Sequence, residues 1–187
     1  PLEVVEAQAT AVLDDIGADA IKTGMLATAE TVKLAARLIA YADVPAVVDP
    51  VMVAKGGASL LADGAIDAVR SLLGSRAALL TPNAPEAEAL TGVEVASLDG
   101  QRRAGEALLR LGSKAVLMKG GHVPGDVVVD LLLTPEGETV FEAARIETRH
   151  THGTGCTLAS PCPTGLAQGV PLEDPVARAR DYTLEAI

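Results

Sequence analysis

The chain has 187 residues, 49% of them hydrophobic, and a formal net charge of −10 at pH 7. This length and composition suit a globular chain with a sizeable core and exclude a disordered one. The acidic balance, without a basic cluster, argues against nucleic acid or an anionic membrane as a partner. No apolar run is long enough to span a bilayer. With only two cysteines, no disulfide framework is available, and we expect a cytoplasmic protein.

Strands and helices alternate from residue 1 to residue 122. Apolar residues at helical spacing predict helices over 2–16, 28–39, 62–73, 85–90 and 98–111. Short apolar runs predict strands over 20–25, 45–50, 77–81 and 115–119. The alternation predicts an α/β fold with a mostly parallel sheet and helices on both of its faces.

The pattern changes after His122. Apolar runs over 127–133 and 139–143 flank Pro135-Glu136-Gly137, which predicts an antiparallel hairpin at one edge of the sheet. We expect a further helical run from Leu158 and a last helix capped and started by Asp174-Pro175. Because no repeat, low-complexity tract or linker interrupts the chain, residues 1–187 are expected to form a single domain.

A glycine-rich stretch, residues 150–157, joins the hairpin to the following helix. Its two glycines, Gly153 and Gly155, allow a tight turn and a close approach to a ligand. The start of a helix is a ready anion site, and it would stabilise a thiolate at Cys156. The alternative is a plain strand-to-helix turn with a small buried thiol. Zinc bound by His150, His152 and Cys156 is disfavoured, because structural zinc sites usually have four close ligands.

Polar residues follow each predicted strand of the parallel sheet. The segments are Lys22-Thr23-Gly24-Met25, Asp49-Pro50-Val51-Met52, Thr81–Glu86, Lys119-Gly120-Gly121 and Gly153–Cys156. Because ligands bind beyond the carboxyl ends of parallel strands, all five should converge on one edge. A lysine, carboxylates for magnesium and a backbone anion site are the parts of a phosphoryl-transfer site. Neither a Walker P-loop nor a G-x-G-x-x-G motif is present.

Each of these residues also has a simpler interpretation. Asp49 could only cap the turn at Pro50, and Lys119 could be a solvated charge at a strand end. Asn83 and Glu86 could serve only to start the helix at Pro85, as an Asn cap with an acidic first turn. His122 is expected to be a loop residue.

Four motifs together closely resemble a known family. They are Asp49-Pro50-Val51-Met52, Thr81-Pro82-Asn83-x-x-Glu86, Lys119-Gly120-Gly121-His122 and the run from Thr148 to Leu158. In this order and spacing they resemble the bacterial hydroxymethylpyrimidine/phosphomethylpyrimidine kinases of thiamine biosynthesis, which are ribokinase-like enzymes. The resemblance covers residues 1–187, and the run ending in Cys156 is its specific part. It implies a three-layer ribokinase-like fold.

The resemblance also implies ATP and Mg²⁺ as cofactors, a small pyrimidine as substrate, and a homodimer. It makes Cys156 the catalytic residue and Lys119 the group that neutralises phosphate. The resemblance also assigns three groups of binding residues. The anion hole would be formed by Gly153, Thr154, Gly155 and Cys156. The magnesium ion would be held by Asp49, Asn83 and Glu86, and the pyrimidine pocket would be lined by Met25 and Val51.

The chain departs from the family at three places. The family's first strand, glycine-rich substrate loop and lid strands are missing at the N-terminus, and the C-terminal helix and tail are short, so we expect a fragment. Pro161 and Pro163 stand inside the helix that opens at the anion hole. An interior proline costs about 3 kcal/mol, so this helix should kink or end after about one turn.

Three alternatives to the thiamine-pathway kinase follow from the same residues. A pyridoxal kinase shares the glycine-rich turn with cysteine in some lineages. A non-catalytic kinase-like module could bind the pyrimidine. A cysteine hydrolase using Cys156 with His150 or His152 would lack a clear partner to orient the histidine.

Overall fold

The computed structural model describes residues 1–52, 64–149 and 151–187. The helices are α1 (Leu2–Asp15), α2 (Ala29–Ala42), α3 (Ala65–Ala68), α4 (Ala84–Thr91), α5 (Leu98–Arg110), α6 (Thr154–Ala159), α7 (Cys162–Ala167) and α8 (Glu173–Ala186). The strands are β1 (Ile21–Thr23), β2 (Ala46–Val48), β3 (Leu79–Leu80), β4 (Val116–Met118), β5 (Val127–Thr134) and β6 (Gly137–Ala144). A π-helix (Val69–Leu73) and a 3₁₀ turn (Gly74–Arg76) continue α3, and a second 3₁₀ turn covers Gly120–His122.

The six strands form one sheet in the order β1-β2-β3-β4-β5-β6. Strands β1 to β4 run parallel, and the β5–β6 hairpin pairs antiparallel with β4. The hairpin closes over Pro135-Glu136, between the paired residues Thr134 and Gly137. The predicted α/β fold, with a mostly parallel sheet and an antiparallel edge hairpin, is confirmed.

Alternate residues of the strands enter two different cores, one on each face of the sheet. Val48, Leu80, Val116, Met118, Leu131 and Leu133 pack with α2, α4 and α5. Val47, Leu79, Leu117 and Leu132 face the opposite side, with residues of α6, α7 and α8. Because successive strand residues point to opposite faces, a continuous apolar run such as Leu131–Leu133 fills both cores. The molecule therefore has the three layers that the sequence predicts.

The helix that begins after the glycine-rich stretch starts earlier than Leu158. Gly153, with φ +83°, is the N-cap, and α6 runs from Thr154 to Ala159. A left-handed cap is inexpensive only for glycine, so the glycine fixes this start and places Cys156 inside the first turn. Likewise α8 begins at Glu173, and Asp174 lies in its first turn without acting as the cap.

The two prolines do end α6, as predicted. Pro161 is the N-cap of α7, and Pro163 occupies its first turn, where a missing N–H costs nothing. The predicted helix over 62–73 begins outside the described residues, and its described part is helical to Leu73. Among the helices of residues 1–52, 64–149 and 151–187, none has the length and apolar character that crossing a bilayer requires.

The contact between α7 and α8 gives a test of this packing. A Cβ on Gly165 would overlap the ring of Pro175. We therefore expect Gly165→Ala to lower the free energy of unfolding by about 1–3 kcal/mol, although alanine is normally the better helix former. In the control Gly74→Ala, the nearest atom to the new Cβ is the Val69 carbonyl oxygen at 3.7 Å, an ordinary contact. Urea denaturation measures both; an equally stable Gly165→Ala would contradict the packing.

Candidate active site

A buried ion pair joins the carboxyl ends of β2 and β4. Asp49 follows β2, Lys119 follows β4, and the Lys119 Nζ donates a hydrogen bond to the Asp49 Oδ1 at 2.8 Å. The Nζ also lies 3.9 Å from the Glu86 Oε2. Asp49 is 1% exposed and Lys119 is 8% exposed. Lys119 is therefore not a solvated charge at a strand end, and Asp49 does more than cap a turn.

The second oxygen of Asp49 is not satisfied within the part of the chain that the structure describes. Thr81 Oγ1 donates to Oδ1 at 3.2 Å, whereas the Lys22 Nζ is 3.9 Å from Oδ2, too far for a hydrogen bond. Buried Oδ2 and the Thr23 Oγ1 have no partner among these residues. Both residues line a cavity of about 10 Å³, enough for about one water. A buried carboxylate oxygen without a partner is costly, so the site favours a water or a cation here.

Asn83 and Glu86 form a reciprocal cap at the start of α4. The Asn83 Oδ1 accepts from the Glu86 N–H at 3.0 Å, and the Glu86 Oε2 accepts from the Asn83 N–H at 2.8 Å. The cap that the simpler interpretation predicts is thus present. Glu86 is nevertheless buried beside Lys119. Burial raises the pKa of Glu86, and the Lys119 charge and the Asn83 N–H partly offset that rise.

The first turn of α6 also lies close to Lys119. A Cβ on Gly155 would lie 3.2 Å from the Lys119 Nζ. Thr154 Oγ1 donates to the Thr151 carbonyl oxygen at 3.0 Å, which fixes the turn before the helix. Cys156 is exposed in this first turn, whereas Cys162 is buried with its Sγ 3.5 Å from the Leu158 carbonyl oxygen. The predicted anion-hole segment and the lysine therefore meet at one edge of the sheet.

Two other predicted residues lie at the same edge. Met25 follows β1 with a 56% exposed side chain, and half-buried Val51 lines the small cavity beside Asp49. His122 ends the 3₁₀ turn after Lys119 and is exposed. His150 lies outside the described residues.

Sequence reasoning placed Lys22 at this edge without a role of its own, and it missed Asp130 and Arg180. Lys22 stands beside Asp49, and a buried Asp130–Arg180 pair supports the turn after Lys119. The available signal was Asp130 itself, a lone charge inside the apolar run Val127–Leu133.

The donor set fits magnesium only as a partner of bound phosphates. Within the described residues, no group of three or more His, Cys, Asp or Glu side chains could hold a metal ion. That finding gives no support to zinc. Magnesium is often held by one or two carboxylates together with phosphate oxygens and water. Within the described residues the Asp49 Oδ2 has no hydrogen-bond partner and is available for that purpose, while the Asn83 Oδ1 and the Glu86 Oε2 are already engaged in the cap.

A buried lysine between two carboxylates, facing a glycine-capped helix at the carboxyl edge of this sheet, defines a small-molecule kinase of the ribokinase-like class. Solved structures agree. The phosphomethylpyrimidine kinase of Clostridium difficile 630 matches with a TM-score of 0.87 at 34% identity, covering 100% of this chain and 76% of that one. The pyridoxal kinase of Staphylococcus aureus in complex with ADP matches with a TM-score of 0.92 at 33% identity, covering 100% and 68%.

The chain belongs to the phosphomethylpyrimidine kinase family, whose model matches residues 1–187. The hydroxymethylpyrimidine/phosphomethylpyrimidine kinase of Streptomyces coelicolor is 49% identical over 187 residues, which are 100% of this chain and 69% of that protein. The family resemblance carried by the four sequence motifs is thus confirmed, and the chain is a phosphotransferase of this kind.

The two cysteines should differ sharply in reactivity. Burial raises the pKa of Cys162 to about 11, so at pH 8 only about one thiol in a thousand there is a thiolate. We expect iodoacetamide at pH 8 to alkylate native protein once, on exposed Cys156, and to reach Cys162 only after denaturation. Mass spectrometry of the intact protein and its peptides gives the count. Cys156→Ala should take up no rapid label; rapid labelling of Cys162 in the folded protein would contradict its burial.

Glu86 should make stability depend on pH. A carboxyl whose pKa is raised by folding binds its proton more readily in the folded chain. Its stabilising contribution is present at low pH and is lost as the pH rises from the ordinary glutamate value of 4.5 through the raised pKa. We expect the free energy of unfolding of Glu86→Gln, whose amide oxygen can still accept the cap bond, to fall less over this range. Urea titrations across pH test this, and parallel curves for both proteins would refute it.

Proposed function

We propose that this chain transfers the γ-phosphoryl group of ATP to 4-amino-5-hydroxymethyl-2-methylpyrimidine and to its monophosphate, in thiamine biosynthesis. The observation that carries the proposal is the meeting of Lys119, Asp49 and the first turn of α6 at one edge of the sheet. The match to the phosphomethylpyrimidine kinase family over the whole chain supports the choice of reaction. Residues 1–187 would act as one domain.

Lys119 and the anion hole would bind the transferred phosphoryl group. An ammonium group has three N–H donors, and one of them is bonded to Asp49 in the described structure. The others can reach phosphate oxygens. The N–H groups of Gly153, Thr154, Gly155 and Cys156 lie at the start of α6, and free N–H groups at a helix start favour negative charge. Their charge and dipoles would stabilise the transition state more than the ground state, which is how they would accelerate transfer.

Mg²⁺ would neutralise charge on the ATP phosphates and hold them in line for attack. Asp49 would contribute its unpartnered Oδ2. Asn83 and Glu86 would act through water, because the Asn83 Oδ1 and the Glu86 Oε2 already hold the start of α4. The neighbouring lysines, Lys22 and Lys119, place positive charge next to Asp49.

Attack by the substrate hydroxyl oxygen forms a new P–O bond as the bond from the γ-phosphorus to the β–γ bridging oxygen breaks. The leaving group is ADP. Cys156, at the first turn of α6, would act as the base that takes the proton the hydroxyl loses. A phosphate oxygen of the monophosphate carries no such proton, so the second transfer needs positioning alone. Cys156 should therefore matter more for the first transfer than for the second.

Met25 and Val51 would line the pyrimidine pocket, since both flank the carboxyl ends of β1 and β2 beside Asp49. Pyridoxal is the second candidate acceptor, because a pyridoxal kinase shares the fold at a TM-score of 0.92. The higher identity to the Streptomyces relative, 49% against 33%, favours the pyrimidine. A cytoplasmic location and a homodimer complete the proposal.

Phosphoryl transfer by the 187-residue chain tests the proposal directly. We expect ATP-dependent phosphorylation of hydroxymethylpyrimidine and its monophosphate, and little with pyridoxal, measured as ADP release and by mass spectrometry of the products. Cys156→Ala should lower kcat for the hydroxymethyl substrate by about 10²–10⁴-fold, the usual loss for a proton-transfer residue. Exposed Cys156 makes few contacts, so its removal should change stability by less than about 0.5 kcal/mol.

Cys162→Ala is the matched control, because it removes the other thiol, which is buried at the start of α7. It should keep turnover when assayed well below its melting temperature. Phosphoryl transfer to pyridoxal alone would instead identify the chain as a pyridoxal kinase. A folded chain that binds pyrimidine but transfers nothing would instead favour a binding module, and esterase activity lost on alkylation would favour a hydrolase.

A further inference from the structure

We infer that Asp130 and Arg180 are positioning residues for Lys119. Through them, and through its contact with α6, helix α8 supports both parts of the phosphate site, namely Lys119 and the anion hole at the first turn of α6. This inference rests on the proposed function in one respect, namely that Lys119 binds the phosphates of ATP. Neither residue lies among the groups assigned to substrate, nucleotide or magnesium.

Asp130 holds the backbone immediately after Lys119. Its Oδ1 accepts a hydrogen bond from the Gly120 N–H at 2.7 Å. Its Oδ2 accepts from the Arg180 Nε, also at 2.7 Å. Both side chains are buried, with 7% exposure each. Both carboxylate oxygens are thus used, one on the turn and one on α8.

Arg180 is itself held in place. Its Nη2 donates to the Phe141 carbonyl oxygen at 3.3 Å, and its guanidinium lies over the Phe141 ring, 5.2 Å from the ring centre. Contacts of this kind fix a planar guanidinium in orientation as well as position. Arg180 therefore presents a fixed donor to Asp130.

Stability alone does not account for a charge at this position. Asp130 is next in sequence to Leu131, Leu132 and Leu133, which are all buried. A buried ion pair often stabilises a fold no better than apolar side chains of similar volume. The carboxylate does what an apolar side chain could not, because it accepts the N–H of Gly120.

The Lys119–Gly120 backbone is fixed from both neighbouring strands. On the β3 side, the Lys119 N–H donates to the Pro82 carbonyl oxygen at 2.9 Å. On the β5 side, Gly120 sits so close that a Cβ there would overlap the Val129 carbonyl. Asp130 supplies the hydrogen bond at this close approach. Loss of that bond would free the turn on one side, and a shift of about 1 Å at a catalytic group can cost about 10²-fold in rate.

Helix α8 also packs against α6, whose first turn carries the anion hole. The same helix thus contacts α6 directly and the Lys119 turn through Arg180 and Asp130. The geometry makes α8 a shared support that sets the distance between the lysine and the anion hole.

Two double variants isolate the hydrogen bond from the charges. Asp130→Asn/Arg180→Leu removes both charges and keeps an oxygen for the Gly120 N–H. Asp130→Leu/Arg180→Leu removes the charges and the oxygen. Neither leaves an unpaired buried charge, so both should fold. We expect the first, which keeps the Gly120 bond but loses the link to α8, to bind ATP about three- to tenfold more weakly than wild type. The second should bind about ten- to a hundredfold more weakly, the usual loss when a supporting residue is removed.

Three measurements give the answer. Calorimetry gives the Kd for ATP with Mg²⁺, steady-state kinetics separates KM for ATP from kcat, and the ¹H–¹⁵N signal of Gly120 reports its hydrogen bond. In Asp130→Leu/Arg180→Leu this signal should move upfield and its amide should exchange faster with deuterium. The first and third readouts need no phosphoryl transfer, so they still decide the roles of Asp130 and Arg180 if the wild-type chain phosphorylates no acceptor.

The matched control is Arg102→Leu/Glu138→Leu, which removes an exposed ion pair of 2.8 Å between α5 and the same hairpin. It should change neither the Gly120 signal nor the Kd. Wild-type binding and kinetics in both Asp130 variants would overturn the inference, and so would an equal loss in both. If Asp130→Leu/Arg180→Leu does not fold, the variant Arg180→Lys tests the inference in its place. Its ammonium keeps a positive donor for Asp130, so it should keep the Gly120 bond and bind ATP within about threefold of wild type. A tenfold loss with an unchanged Gly120 signal would overturn the inference.

Discussion

The hydrogen bond between Lys119 and Asp49, 2.8 Å long and buried, is the interaction on which the site depends. Two opposite charges are stable out of water only when each has its partner and its remaining hydrogen bonds. Asp49 has Lys119 and Thr81 on one oxygen and no hydrogen bond on the other within the described residues. The fold therefore holds a buried cluster in which the charges of Lys119 and Asp49 are paired, while the second oxygen of Asp49 remains available for another ligand.

This cluster forms because four parallel strands end at the same edge of the sheet. Asp49 and Lys119 are separated by 70 residues in the chain, and β3 lies between their strands. The parallel register brings them together. The reciprocal cap of Asn83 and Glu86 at the start of α4 lies beside this pair, and so does the first turn of α6. Each element therefore contributes its terminus to the same edge of the sheet.

The supports of this site come from both faces of the sheet. Helix α4 lies in the core with α2 and α5, whereas α6 and α8 pack on the opposite face. Asp130 lies in the antiparallel hairpin and links the turn after Lys119 to α8, because one of its oxygens accepts from the Gly120 N–H and the other from Arg180. The hairpin therefore does more than form one edge of the sheet, because its Asp130 accepts a hydrogen bond from the turn that follows Lys119.

The sequence by itself determined the strands, the hairpin, the three layers and the break in the helix at Pro161, because apolar periodicity and proline chemistry are local properties. It also identified Lys119, Asp49 and the Gly153–Cys156 turn as neighbours, because strand ends converge in any parallel sheet. The start of α6 at Thr154 is also a local property, because the left-handed cap at Gly153 fixes it, although the sequence prediction placed it at Leu158. Only the tertiary structure decided which oxygen of Asp49 lacks a hydrogen bond within the described residues, and which groups Lys22, Asp130 and Arg180 contact. Those features depend on distances between segments far apart in the chain, and no local pattern encodes such distances.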